Sequence, residues 1–209
     1  MNKTIITIGR EKGSGGHYIG DLLAQKLGVK CYDKELLVET ARTSGFSEPF
    51  IAEYEEKKPS SLLYTLAAGI NTNTYSHPLH QQVFLAQSEV IREIAQRESC
   101  VFVGRCADYI LRDRADVLKC FVHAPISYRM ERIAQREQVG PEKAEKIMLQ
   151  TDRSRAAYYM HFTQNIWGAA KSYHLSVDTS LTGMDGAVDT IMEFLRIISA
   201  REGKASETR

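Results

Sequence analysis

The sequence lacks most of the features that assign a chain to a special class. Its 209 residues hold no excess of one charge: 27 Lys and Arg against 26 Asp and Glu leave a formal net charge of +1. That balance argues against a broad polyanion-binding surface, so neither nucleic acid nor a membrane surface is expected as a partner. No stretch approaches the ~20 apolar residues of a membrane span. The opening run, Thr4–Ile8, is too short for the apolar region of a secretory signal. Cys31, Cys100, Cys106 and Cys120 form no CxxC pair and have no histidine at metal-ligand spacing. They read as reduced thiols of a cytoplasmic protein, with Cys31, Cys100 and Cys120 in or beside apolar runs. No internal repeat or low-complexity tract occurs. What remains is 43% apolar and 25% charged residues, the composition of an ordinary globular domain with length enough for one full core.

Five short apolar runs are present: Thr4–Ile8, Val29–Tyr32, Cys100–Gly104, Val117–His123 and Tyr173–Val177. Nearly all are continuous rather than alternating, which predicts strands buried on both faces of a parallel sheet. Helical spacing lies between them, at Ile19–Leu27, Val83–Ile94, Ser127–Arg136, Pro141–Tyr159 and Ala187–Ile198. Strand–helix alternation predicts an α/β domain with right-handed crossovers. Roughly 65 residues separate the second and third runs, far more than one crossover needs. This interval, with charged Ser44–Ser61 and polar Asn71–His80, reads as a helical insertion over the ligand-binding end of the sheet. The end of the chain, 200–209, is polar and reads as a frayed tail.

The first run leads into Gly9-Arg10-Glu11-Lys12-Gly13-Ser14-Gly15-Gly16-His17 and then directly into a helical pattern. Strand, glycine loop and helix together let successive backbone N–H groups surround a phosphate. The string is not a full Walker A motif. In G-x-x-x-x-G-K-[ST] register, Arg10 stands at the first glycine, Gly16 at the lysine and His17 at the hydroxyl. The dinucleotide pattern GxGxxG also fails, because Tyr18 holds its last position.

The strings REKGSGGHYIG, VKCYDKELL, FVGRCAD, VHAPISYRMER, TDRSRAAYY and VDTS, in that order, resemble the cytidylate kinase-like family. The resemblance covers residues 1 to about 195 of the chain. The resemblance implies a three-layer P-loop fold with a parallel five-stranded sheet, an acceptor-binding helical insertion near 42–88 and a lid near 137–160. It implies transfer of the ATP γ-phosphoryl to a small phosphorylated acceptor, most simply a nucleoside monophosphate such as CMP, with Mg²⁺ bridging the phosphates. A nucleotide-binding regulatory module, or a kinase for another small metabolite, stays open. Lys12 departs from the family's aromatic residue, and His17 from its arginine.

Residue roles follow from the same resemblance. Gly13, Ser14, Gly15, Gly16 and His17 would hold the donor phosphates. Arg10, Lys12, Arg153 and Arg155 are the candidate cations for the transferring group; two apart, Arg153 and Arg155 cannot both face inward on a regular helix. Arg129, Arg132 and Arg136 form one basic helical face, either solvated or turned to the phosphate. Asp33 would contact acceptor hydroxyls or metal-bound water, or cap the next helix. Arg105 would bind the acceptor phosphate with its planar fork, and Asp108 would orient Arg105 or touch the acceptor base. Asp178 and Thr179 would lie near the donor base, or cap a turn. Tyr158, Tyr159 and Trp167 read as packing residues. Nucleotides and small molecules are the expected partners, and an apolar patch on the inserted helices would allow a homodimer.

Overall fold

The computed structural model describes residues 3–33, 35–45, 47 and 79–207. Most of the expected insertion, including His77, lies outside the described residues. The order is β1 (Ile5–Arg10), α1 (Gly16–Leu27), β2 (Lys30–Tyr32), α2 (Glu35–Ser44), α3 (Leu79–Arg97), β3 (Cys100–Val103), α4 (Ala107–Ile110) and β4 (Val117–His123). Then come α5 (Ile126–Glu137), α6 (Pro141–Thr163), a 3₁₀ turn (Ala170–Ser172), β5 (Leu175–Asp178) and α7 (Thr179–Glu207). The strands pair in parallel in the order β2-β3-β1-β4-β5.

Continuous apolar strands serve two cores because successive side chains point to opposite faces. Ile5, Phe102 and Val117 pack with Leu36 of α2, Ile91 of α3, Ala107 of α4 and Tyr159 of α6. Ile6, Ile8, Val101 and Val122 face the other way, against Ile19 and Leu23 of α1 and Val188 and Ile191 of α7. Cys100, Cys106 and Cys120 are buried, and none of the four cysteines forms a disulfide. Burial pushes the Cys100 and Cys120 thiols up to about 12, so they behave as small apolar groups. Among the described residues, no helix is long and apolar enough to cross a membrane.

Several boundaries differ from expectation, among them the end of β1 and the end of the chain. Strand β1 runs two residues further, since Gly9 and Arg10 continue the ladder opposite Phe121 and Val122; Arg10 therefore belongs to a rigid element, not to the loop. Residues 200–207 continue α7 rather than fray; Ala, Arg, Glu and Lys there are good helix formers. Helix α7 is interrupted near its start, at Gly183 (φ 66°, ψ 178°). The segment expected as a lid is the α5–α6 connection and most of α6, joined by a small core of Ile133, Ala144 and Met148.

Candidate active site

The carboxyl ends of β1, β3 and β4 share one edge of the sheet, and two unusual turns meet there. After β1, Gly13 (φ 87°) and Gly15 (φ 95°) bend the chain so that α1 starts at Gly16 without a side-chain cap. The first N–H groups of a helix have no partner within it. Those of Gly16, His17 and Tyr18 consequently point out of the N-terminal end as anion donors. Ser14 departs from expectation. Its hydroxyl donates to the Glu11 carbonyl (2.8 Å) and its carbonyl accepts from the Thr179 hydroxyl (2.9 Å). Fully buried, its side chain braces the loop instead of facing a ligand.

Gly16 has no room for a side chain. A Cβ there would lie 2.4 Å from the Cβ of Arg10, whose stem crosses the loop. The arginine head packs against Gly104, with Nη2 3.7 Å from Asp33 Oδ1. The space that a side chain at the Walker lysine position would enter is thus taken by the stem of Arg10, whose charged head reaches on to Gly104.

After β3, Gly104, Arg105 and Cys106 adopt φ of 76°, 58° and 54° in succession. Left-handed backbone costs a non-glycine residue about 1–2 kcal/mol, and here it lifts Arg105 onto the edge. Arg105 Nη2 lies 4.0 Å from Asp33 Oδ1, and His17 Nδ1 lies 2.8 Å from Asp33 Oδ2. His17 also approaches Asp21 (3.3 Å). Asp33 therefore sits among three basic side chains just ahead of α2.

Two pockets open on this edge, and both are walled by Arg10 and Arg155. One covers the glycine loop, with Gly13, Gly15, Gly16, His17, Asp33 and Arg132 in its lining. The other lies behind Gly104, Arg105, Asp108, Tyr159 and Tyr173. Arg155 donates to the Arg10 carbonyl (3.3 Å). Arg153 is exposed and lines a separate surface pocket beside Glu145 and Lys146. The helix turns only one of the two arginines to the edge, as their spacing requires.

The remaining cations divide unexpectedly. Lys12 Nζ is ion-paired with Glu137 (2.6 Å), and its N–H donates to Asp152 (2.7 Å). Arg129 is neither solvated nor at the pocket surface: it is buried. It bonds the Asp152 carboxylate, the carbonyls of Ala124 (2.9 Å) and Lys12 (3.2 Å), and lies 3.2 Å from Glu11. Arg132 donates to the Gly13 carbonyl (2.9 Å). Helical spacing identified the face but not its division into a buried clasp and a pocket lining.

Asp108 is paired differently from either expectation. Its Oδ2 accepts from the Tyr159 hydroxyl at 2.6 Å, and burial pushes its carboxyl above the usual range. No local signal announced this pairing, because Tyr159 lies 51 residues away in an apolar-looking Tyr-Tyr pair. Asp178 accepts from the Ser180 hydroxyl (2.7 Å) and N–H (2.9 Å), bonds that hold its carboxyl below the usual carboxylate range. It caps a turn, while Thr179 ties β5 to the glycine loop.

A pH prediction follows from Asp108. Below the unfolded value near 3.9 it is protonated in both states and costs nothing. As pH rises, the unfolded state ionises first, so the native state loses relative stability. Asp108→Asn is expected to remove this loss. Its melting temperature relative to wild type should climb between pH 4 and 7; a constant difference would contradict the buried, proton-holding carboxyl.

A glycine loop after the central strand of a parallel 2-3-1-4-5 sheet, with two arginine-walled pockets at that edge, defines a P-loop kinase fold. The chain belongs to the cytidylate kinase-like family, which it matches over residues 5–181. It is 26% identical over 194 residues to a cytidylate kinase of Methanobrevibacter smithii, covering 93% of this chain and 99% of that one. Among solved structures, an uncharacterized protein from Eubacterium ventriosum superposes with a TM-score of 0.71 at 27% identity, over 93% of this chain and 99% of that one. A shikimate kinase from Bacteroides thetaiotaomicron shares the fold with a TM-score of 0.55 at 14% identity, over 92% and 98%.

Proposed function

We propose that the protein is a cytoplasmic enzyme that transfers the γ-phosphoryl of ATP to a small phosphorylated acceptor, most simply a nucleoside monophosphate such as CMP. The carrying observation is the pair of pockets with Arg10 and Arg155 as their common wall. Phosphoryl transfer needs two anionic substrates aligned, water excluded and moving charge neutralised. Donor phosphates would rest on the N–H groups of the glycine loop and α1. The acceptor phosphate would meet Arg105. Arg10 and Arg155, between them, are then placed for the group in transit, while Asp33 holds Arg10, Arg105 and His17 in place.

Mg²⁺ takes oxygen ligands and keeps several waters. The donor-side pocket is lined by the carboxylates of Glu11, Asp33 and Glu137, each also paired with a basic side chain. Among the described residues, no three acidic, His or Cys side chains cluster as a metal cage. These residues would hold such an ion through its water shell, and it would supply charge neutralisation when bound.

Measuring ATP consumption across nucleoside monophosphates and phosphorylated metabolites tests the reading; no acceptor above background would overturn it. Arg105→Ala is expected to weaken acceptor binding about tenfold or more and spare ATP affinity. Equal losses for both ligands would reject the assignment. The Lys12–Glu137 ion pair favours one second reading, a nucleotide-binding regulatory module, because it engages that lysine with a carboxylate.

A further inference from the structure

The pocket behind Arg105 has a floor that phosphate binding does not explain. Its cations stand at Arg10, Arg105 and Arg155, while Asp108, Tyr159 and Tyr173 lie deeper in the fold, 7%, 5% and 8% exposed. Tyr159 is committed to Asp108. The Tyr173 hydroxyl is buried and has no hydrogen-bond partner of good geometry among the described residues; the Gly168 backbone and the Tyr159 side chain make only loose polar contacts with it. Its ring is fixed against Phe121, with centroids 4.9 Å apart, and against Gly9. A phenol held rigidly with its oxygen unsatisfied is costly to the fold and unusual in native interiors.

The chemistry of the floor limits what it takes. An anion would meet the Asp108 carboxyl and two phenols whose ionisation burial suppresses. A cation would have to pass three guanidinium groups. The cavity, about 40 Å³, holds two or three water-sized groups and is too small for a pyrimidine ring. An uncharged group that both donates and accepts suits the Tyr173 hydroxyl, which can do either.

We propose that Tyr173, positioned beside the Tyr159–Asp108 pair, reads a hydroxyl group of the acceptor, so that the acceptor is a hydroxylated phosphate monoester with its phosphate on Arg105. This rests on the phosphotransferase reading for the location of the acceptor, not for the existence of the subsite.

Tyr173→Phe deletes one oxygen and keeps the ring. Without ligand its melting temperature is expected to equal or exceed that of wild type, since an unsatisfied group is removed. A fall of several degrees would mean that the hydroxyl is a structural bond, and would overturn the proposal. Binding is then measured with two probe pairs, CMP against 2′-deoxyCMP and ribose 5-phosphate against 2-deoxyribose 5-phosphate. Wild type is expected to prefer the hydroxylated member of at least one pair by about tenfold, one good hydrogen bond. Tyr173→Phe should reduce that preference toward unity by weakening the hydroxylated member alone. An unchanged preference in the variant, or none in wild type, overturns the subsite. Preference in the sugar phosphates with no CMP binding would support the subsite and overturn the nucleotide acceptor; wild type binding none of the four overturns both.

Discussion

Arg10→Ala is expected to lower kcat by about 10²–10³-fold, the usual cost of losing one charged donor at a developing anion, without lowering the melting temperature. The two halves of that result share one cause. Arg10 and Arg105 both approach the same oxygen of Asp33, at 3.7 and 4.0 Å, and Arg155 bonds the Arg10 carbonyl. Arg10 and Arg105 crowd one carboxylate oxygen with Arg155 bonded close by, a concentration of like charge that a bound phosphate would relieve. Removing one relieves repulsion in the free protein and weakens the site, the familiar exchange of stability for activity. Arg10→Lys is expected to recover part of kcat, because it restores charge but not the planar fork. Steady-state kinetics and thermal melts on the same preparations check this. A variant that keeps wild-type kcat would move the transferring cation to another residue, and one that melts early would make Arg10 structural.

The second large effect is on stability. Arg129→Ala is expected to destabilise the fold by about 3–5 kcal/mol, the range for breaking a buried ion pair from one side. At about 2–4 °C per kcal/mol for a chain of this size, the melting temperature falls by about 10 °C. Arg129 is 6% exposed and joins Glu11 before the loop, Asp152 on α6 and the carbonyls of Lys12 and Ala124. Alanine would leave both carboxylates facing each other across a partly dry gap. It would also free the Ala124 and Lys12 carbonyls, so the loop and α6 would lose their common anchor. Arg129→Lys keeps one charge but cannot reach all these partners at once, and is expected to fall between wild type and alanine. Thermal melting separates the three proteins; a loss below 1 kcal/mol would mean that the clasp is not under load.

Much of the architecture is legible along the chain because its causes are local. Continuous apolar runs mark strands buried on both faces, and β3 and β4 fall within one residue of their expected limits. Glycines after the first strand announce a turn with positive φ into a helix start. Pro141 marks the first residue of α6. Partnership across the fold is less legible. Periodicity put Arg129 and Arg132 on one helix face, yet one clasps the loop from the interior and the other bonds the Gly13 carbonyl. Tyr159 looked like packing until the fold set it against Asp108.

The sequence by itself determined an α/β chain with a phosphate-binding turn, no membrane-spanning run and a lysine missing from its usual place. Those features depend on neighbours a few residues apart, on side-chain period and on backbone sterics. The tertiary structure alone decided what stands at the lysine position. Arg10 is six residues before Gly16, but only the pairing of β1 with β4 extends the strand far enough to lay that side chain across the loop. Pairing and burial are set by residues a hundred positions apart, so the placement of charge, unlike its sum of +1, is a property of the folded chain.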